Sequence, residues 1–337
     1  MTLILDPRLR IGIQTLHRRT EPAEEPWLPR IDELVDLVRL VDDSGFDSIW
    51  AGDHISFPLS IFDPLLQLAQ AAVISRRLTL GTSVLLLPLR HPTPVAKQVT
   101  TLDHLTEGRF ILGVGVGGEF PNEYTACGVP HNERGARLAE GVTVLRKFFT
   151  GEAVSHHGRF YGPFENVVMK PPPRQAGGPP IWFAGRKDPA LRRIGRLGDG
   201  YLAYVISPEM YRGALETISA AADQAGRGPI PFGTGHLLFT RLDHTYEDAL
   251  DRATETLSVR YAMDFRKAAQ RYCALGTPAM VAERIREFYA SGVRHVVLDL
   301  LGPYEQKAEQ IAWFAREAMP LLADLTADSG VDVAPRA

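Results

Sequence analysis

Short runs of mostly apolar, often β-branched residues alternate along the chain with longer stretches whose apolar positions recur every three or four residues. The first pattern predicts strands buried on both faces, and the second predicts amphipathic helices. Strands are expected at 10–14, 47–51, 78–86, 110–114, 181–184, 200–203, 231–239 and 295–300. The helices that follow them are expected at 30–44, 62–75, 93–106, 134–150, 189–197, 208–225, 278–291 and 305–323. Gly45 and Gly108 stand where C-terminal caps are needed, and Asn132 is placed to cap the helix beginning at 134. Such alternation builds parallel βαβ units. Eight units in 337 residues fit one closed (β/α)8 TIM barrel, residues 1–337, better than an open sheet with a reversal point and two edges.

Two stretches break the alternation. Residues 152–180 begin as a hairpin and continue into a segment too rich in Pro and Gly for helix or central strand. Residues 241–277 read as helical and follow the seventh strand, so they would lie over the mouth of a barrel as a lid, or pack outside it as an appendage or dimer surface.

Composition narrows the class. With 45% hydrophobic and 23% charged residues the chain resembles an ordinary globular enzyme. A formal charge of -3 without a Lys/Arg stripe argues against nucleic acid and anionic lipid as partners. Cys127 and Cys273 lack a nearby partner, which excludes a disulfide framework and a thiolate metal site. No apolar run is long enough for a membrane span, and no signal-peptide pattern opens the chain. The expectation is a cytoplasmic protein acting on a small molecule.

Four sequences carry candidate chemistry. Asp53-His54 stands where the second strand stops, at the rim where barrels place their active sites, although an Asp there also caps helices. Gly81-Thr82-Ser83-Val84 closes the third strand and reads either as a plain strand end or as a bulge that backs a flat ring. Gly113-Val114-Gly115-Val116-Gly117-Gly118 satisfies G-x-G-x-x-G, but it follows the fourth strand and leads into Glu119-Phe120-Pro121 rather than a helix, so a dinucleotide-binding Rossmann unit is rejected. Its glycines suit close approach to a ring or phosphate, or a tight turn, and Glu119 would face the mouth. Ala184-Gly185-Arg186-Lys187-Asp188-Pro189 ends the fifth strand as a phosphate seat or as solvated surface charge.

Other chemistries find no support. His156 and His157 are neighbours in a predicted strand and point to opposite faces, so no metal is expected. The motifs G-x-S-x-G and H-E-x-x-H are absent. His17, His91, His104, His236 and His295 read as core or loop histidines.

Taken in order with Glu107-Gly108-Arg109-Phe110-Ile111-Leu112-Gly113-Val114-Gly115, Asn122-Glu123-Tyr124, Gly128-Val129-Pro130, Glu133-Arg134 and His157-Gly158-Arg159-Phe160-Tyr161, these phrases resemble the bacterial luciferase-like monooxygenase family. The likeness runs from about Arg10 to Leu322 and is nearest the branch that uses the deazaflavin coenzyme F420. It implies a TIM barrel holding F420, or alternatively FMN, across its mouth. It also implies a non-prolyl cis peptide between Ser83 and Val84 on a wall formed by Gly81, Thr82, Ser83 and Val84.

By the same resemblance His54 is the acid–base residue, Asp53 contacts the coenzyme, and Glu119 sits across the ring as a second catalytic residue, a proton or electrostatic partner. Gly115, Gly117 and Gly118 lie beside the ring, and Ala184, Gly185 and Arg186 hold the phosphate tail. A homodimer is implied as well. The chain departs from the sugar-phosphate and alcohol dehydrogenases of the family after His54, where Ile55-Ser56-Phe57-Pro58 replaces the usual tryptophan segment, and at Arg186, where many members have a small residue. Three functions are open: a deazaflavin oxidoreductase, a monooxygenase using reduced FMN, and a silent binding barrel. Substrate choice would fall to loops near 14–17, 55–61 and 241–272.

Overall fold

The computed structural model describes residues 2–14, 30–57 and 61–327. Its centre is a closed ring of eight parallel strands: β1 Arg10–Gln14, β2 Ser48–Ala51, β3 Thr79–Thr82, β4 Phe110–Val114, β5 Ile181–Ala184, β6 Gly200–Tyr204, β7 Gly233–Leu242 and β8 His295–Leu300. Each strand pairs with the next, and β8 returns to β1 with Val296 opposite Ile11, so the ring has no edge. Around it run α1 Ile31–Asp43, α2 Pro64–Ile74, α3 Pro92–Leu105, α4 Arg134–Phe149, α5 Asp188–Leu197, α6 Pro208–Gln224, α7 Pro278–Ala290 and α8 Lys307–Trp313.

Strand alternation sorts the core. Along β7, Leu238 and Leu242 pack outward with the helices, whereas Leu237 and Phe239 join the inner cluster of Trp50 and Trp182. The two indoles lie 5.5 Å apart, and His295 meets their edges at 5.2 and 5.8 Å. Ser48 links them further: its hydroxyl accepts from Trp50 Nε1 at 2.8 Å and bonds His295 Nε2 at 2.7 Å. This plug needs neighbours without side chains. A Cβ on Gly81 would stand 2.4 Å from the Trp50 ring, and one on Gly233 would stand 2.1 Å from Trp182.

Local chemistry sets the helix ends. Asp63 caps α2 by accepting from Leu65 and Leu66 amides at 2.9 and 3.2 Å, and Ser207 and Thr277 cap α6 and α7. Gly45 and Gly108 turn the chain after α1 and α3 with φ of +82° and +84°. Asn132 is no cap: it lies inside a 3-10 turn, His131–Glu133, and α4 starts without a side-chain cap. The third strand also ends earlier than its apolar run, at Thr82, with one further bridge from Leu85 to Val114. The last helix is segmented, with a π turn at Phe314–Ala318 just before Pro320, which has no N–H to continue the ladder.

Both excursions have defined structure. The first is an antiparallel pair, Ala153–His156 with Phe164–Val168. Glu140 of α4 anchors its turn by accepting from the Arg159 and Tyr161 amides at 3.1 and 2.9 Å. His156 and His157 face different partners there, Glu140 and Glu165. The second begins later than predicted because β7 runs on to Leu242. It consists of helices Tyr246–Tyr261 and Arg266–Tyr272, then Ala274–Gly276, which pairs in parallel with Thr240 to Leu242. Arg260 of this insertion reaches Asp299 of β8 at 2.8 Å and covers the Phe239 ring at 5.3 Å.

Candidate active site

The carboxyl ends of β2, β3, β4, β5 and β6 bring the candidate residues to one rim of the barrel. His54 follows β2, and its Nδ1 lies 3.1 Å from Glu123 Oε2. The other oxygen of Glu123 accepts from the Ile55 and Ser56 amides at 2.7 and 3.1 Å. Glu123 is buried to 1% exposure, so these bonds replace its water. A carboxylate facing Nδ1 assigns the proton of the neutral ring to that nitrogen and leaves the lone pair on Nε2. His54 Nε2 has no partner among the described residues, and the ring is 20% exposed. Phe57 stacks on it at 4.0 Å and Phe120 meets it edge-on at 5.5 Å.

Glu123 sits on a six-residue helix, Pro121–Ala126. Its neighbour Tyr124 donates to the Val116 carbonyl; burial pushes that phenol up to about 12, so it remains a donor. One short helix thus fastens the loop after β2 to the glycine-rich loop after β4.

Asp53 faces inward from the same loop as His54, with its side chain fully buried. It accepts from the Leu86 amide at 2.8 Å and forms a two-pronged bond with Arg90, one prong at 2.8 Å. Asp53 thus forms a strut between the loops after β2 and β3. Arg90 is a partner the sequence reading missed.

The peptide between Ser83 and Val84 is cis, as the family resemblance implies. Ser83 Oγ donates to Gln14 Oε1, and the Ser83 amide to Ala51 at 2.8 Å. Val84 is half-buried and projects toward Gly115, where a Cβ would fall 2.4 Å from Val84 Cγ2. Gly115 is what allows the bulge. Gly81 also clears Trp50, and the Thr82 hydroxyl donates to the Gly113 carbonyl at 2.7 Å.

Beyond Gly117 and Gly118, with φ of +58° and +110°, Glu119 is exposed and accepts from the Tyr204 hydroxyl at 2.5 Å. After β5, a Cβ on Gly185 would meet that of Ala190 at 2.5 Å, so the turn from Ala184 into α5 is tight. Arg186 is exposed and folds back over the Tyr204 ring at 4.7 Å while donating to the Val205 carbonyl at 3.3 Å. Residues 15–17 and 58–60 of the loops expected to select substrate, His17 among them, lie outside the described residues.

The family model for luciferase-like monooxygenases matches residues 9–295. The chain belongs to that family. It is 33% identical over 188 residues to a 4-hydroxyprotoasukamycin monooxygenase of Streptomyces nodosus subsp. asukaensis; the match takes in 55% of this chain and half the length of that protein. It is 26% identical to an F420-dependent glucose-6-phosphate dehydrogenase of Nakamurella multipartita, across 94% of this chain and 97% of the other. Among solved structures it resembles the monooxygenase RslO1 from Streptomyces bottropensis with a TM-score of 0.78 and 27% identity, over 93% of this chain and 99% of that one. The luciferase-like relatives thus include an F420-dependent dehydrogenase and monooxygenases.

Proposed function

We propose that this protein is a coenzyme F420-dependent oxidoreductase that moves a hydride between the deazaflavin and a small organic substrate. The observation that carries the reading is His54, an imidazole anchored at Nδ1 by a buried carboxylate and with no partner at Nε2 among the described residues. The rim also fits a flat ring. Val84 projects from a non-prolyl cis step, and Gly115, Gly117 and Gly118 leave three positions of the facing loop without side chains. A relative that aligns across nearly the whole chain is F420-dependent.

When bound, the deazaflavin supplies a carbon that accepts or donates hydride. The residues of the chain handle the proton. In the oxidative direction His54 Nε2 takes the proton of the substrate hydroxyl, and in the reverse direction it returns a proton to the carbonyl oxygen. Glu123 holds the ring in the tautomer this requires and balances the charge of the imidazolium. Phe57 and Phe120 cover the ring and keep water from it. Ala184, Gly185 and the first turn of α5 would seat the phosphate of the coenzyme. A silent binding barrel would have no use for an imidazole held this way.

The second reading is a monooxygenase using reduced FMN, favoured by the 33% identity to one monooxygenase and the 27% identity to another. Titrating the protein into F420 and into FMN, and following quenching of each coenzyme's fluorescence, separates the two. Micromolar binding of F420 with weaker FMN binding is expected, and tight FMN binding without F420 binding would transfer the assignment to the second reading.

A further inference from the structure

Tyr204 ends β6 and reaches past the end of β5 to the loop after β4. Its hydroxyl donates to Glu119 at 2.5 Å, while the Arg186 guanidinium lies over its ring. The next residue, Val205, has a φ of +51°. A β-branched residue takes that conformation only where its surroundings hold it, and such backbone strain gathers at functional sites. Here the Val205 carbonyl is bonded by Arg186, the same side chain that covers Tyr204. Glu119 is exposed and follows two glycines of positive φ; its loop backbone is fastened at the Val116 and Gly118 carbonyls, and Tyr204 holds its carboxylate. Burial first, and the Glu119 carboxylate second, hold the Tyr204 phenol well above its ordinary range, so it keeps its proton and is the donor of this bond.

We infer that Tyr204 is a positioning residue of this site: it tethers the Glu119 carboxylate across the rim of the barrel, where Glu119 serves as a fixed charge and acceptor and leaves proton transfer to His54. The inference rests on the reading of the rim as an active site. It assigns the exposed cation as well, since Arg186 backs the tyrosine instead of reaching for a phosphate in this arrangement.

Tyr204→Phe removes the hydroxyl and keeps the ring beneath Arg186. In the protein without coenzyme, amide exchange across residues 115–120 should rise about tenfold, the loss of one restraining hydrogen bond. With coenzyme and substrate, kcat should fall about tenfold while KM and coenzyme affinity stay within about twofold, because the tether orders a charge and adds no contact to substrate. Glu119→Ala should lower kcat similarly, and the double variant should be no slower than the slower single variant. Unchanged exchange in Tyr204→Phe, or losses that multiply in the double variant, would overturn the tether. The exchange measurement needs no coenzyme, so it stands or falls separately from the choice between F420 and FMN.

Discussion

His54 is held at one ring nitrogen and has no partner at the other among the described residues, and that asymmetry makes its role testable one atom at a time. His54→Ala should lower kcat by about a hundredfold or more, the usual worth of a placed acid–base group, with coenzyme affinity little changed. Glu123→Gln keeps an oxygen for the Ile55 and Ser56 amides but removes the charge behind the imidazole. It should lower kcat about tenfold or more with the fold intact. Stopped-flow coenzyme oxidation or reduction measures both, and wild-type turnover in His54→Ala would remove His54 from the mechanism. At this scale the sequence was legible where a chemically distinct residue closely follows a strand, as His54 follows β2. It was silent where a role depends on a partner far along the chain. Glu123 is 69 positions from His54, and Arg90 is 37 from Asp53. Gly81 gave a site-like signal but answers to Trp50, which only strand register brings opposite it.

Among the elements, the barrel strands were the easiest to read, because burial on both faces leaves continuous apolar runs. Errors came where an apolar run continued past the regular strand, as in β3, which stops at Thr82 although Leu85 still pairs with Val114. The helix Pro121–Ala126 is too short to show a period, although it joins two loops of the site. The insertion after β7 was visible as a helical interruption, but what fastens it was not. Arg260 and Asp299 are both at least nine-tenths buried at the join, and Arg260 also covers Phe239. Arg260→Met removes one member of a buried ion pair and leaves Asp299 without that cation. Such breaks cost about 3–5 kcal/mol, and a loss near the lower figure is expected, read from the urea midpoint at constant m-value. A loss under about 1 kcal/mol would mean that apolar packing alone holds the insertion to the barrel.

For the whole molecule, two buried histidines couple the barrel to pH. His295 sits in the plug with Ser48, Trp50 and Trp182, and His236 lies under α7 against Phe288 at 4.3 Å, its Nδ1 bonded to the Ala203 carbonyl at 3.2 Å. Burial pushes both imidazoles down from 6.5 to about 3. The folded chain therefore keeps them neutral as pH falls, whereas the unfolded chain protonates them below about 6.5, so acid favours unfolding. Each such proton weakens the fold by about 1.4 kcal/mol per pH unit, or about 2.7 for both, once the unfolded histidines are fully charged. Ordinary carboxylates titrate near 4, so these histidines begin to act against the fold before most carboxylates take up protons. Urea unfolding at pH 7 and pH 5 should show a clear loss of stability at the lower pH. Equal stability at the two would show that water or a proton reaches both imidazoles in the folded barrel. The closed ring and its eight units were readable from periodicity, because every strand repeats the same burial. The plug was not, because its Ser, Trp and His come from strands that meet only when the ring closes.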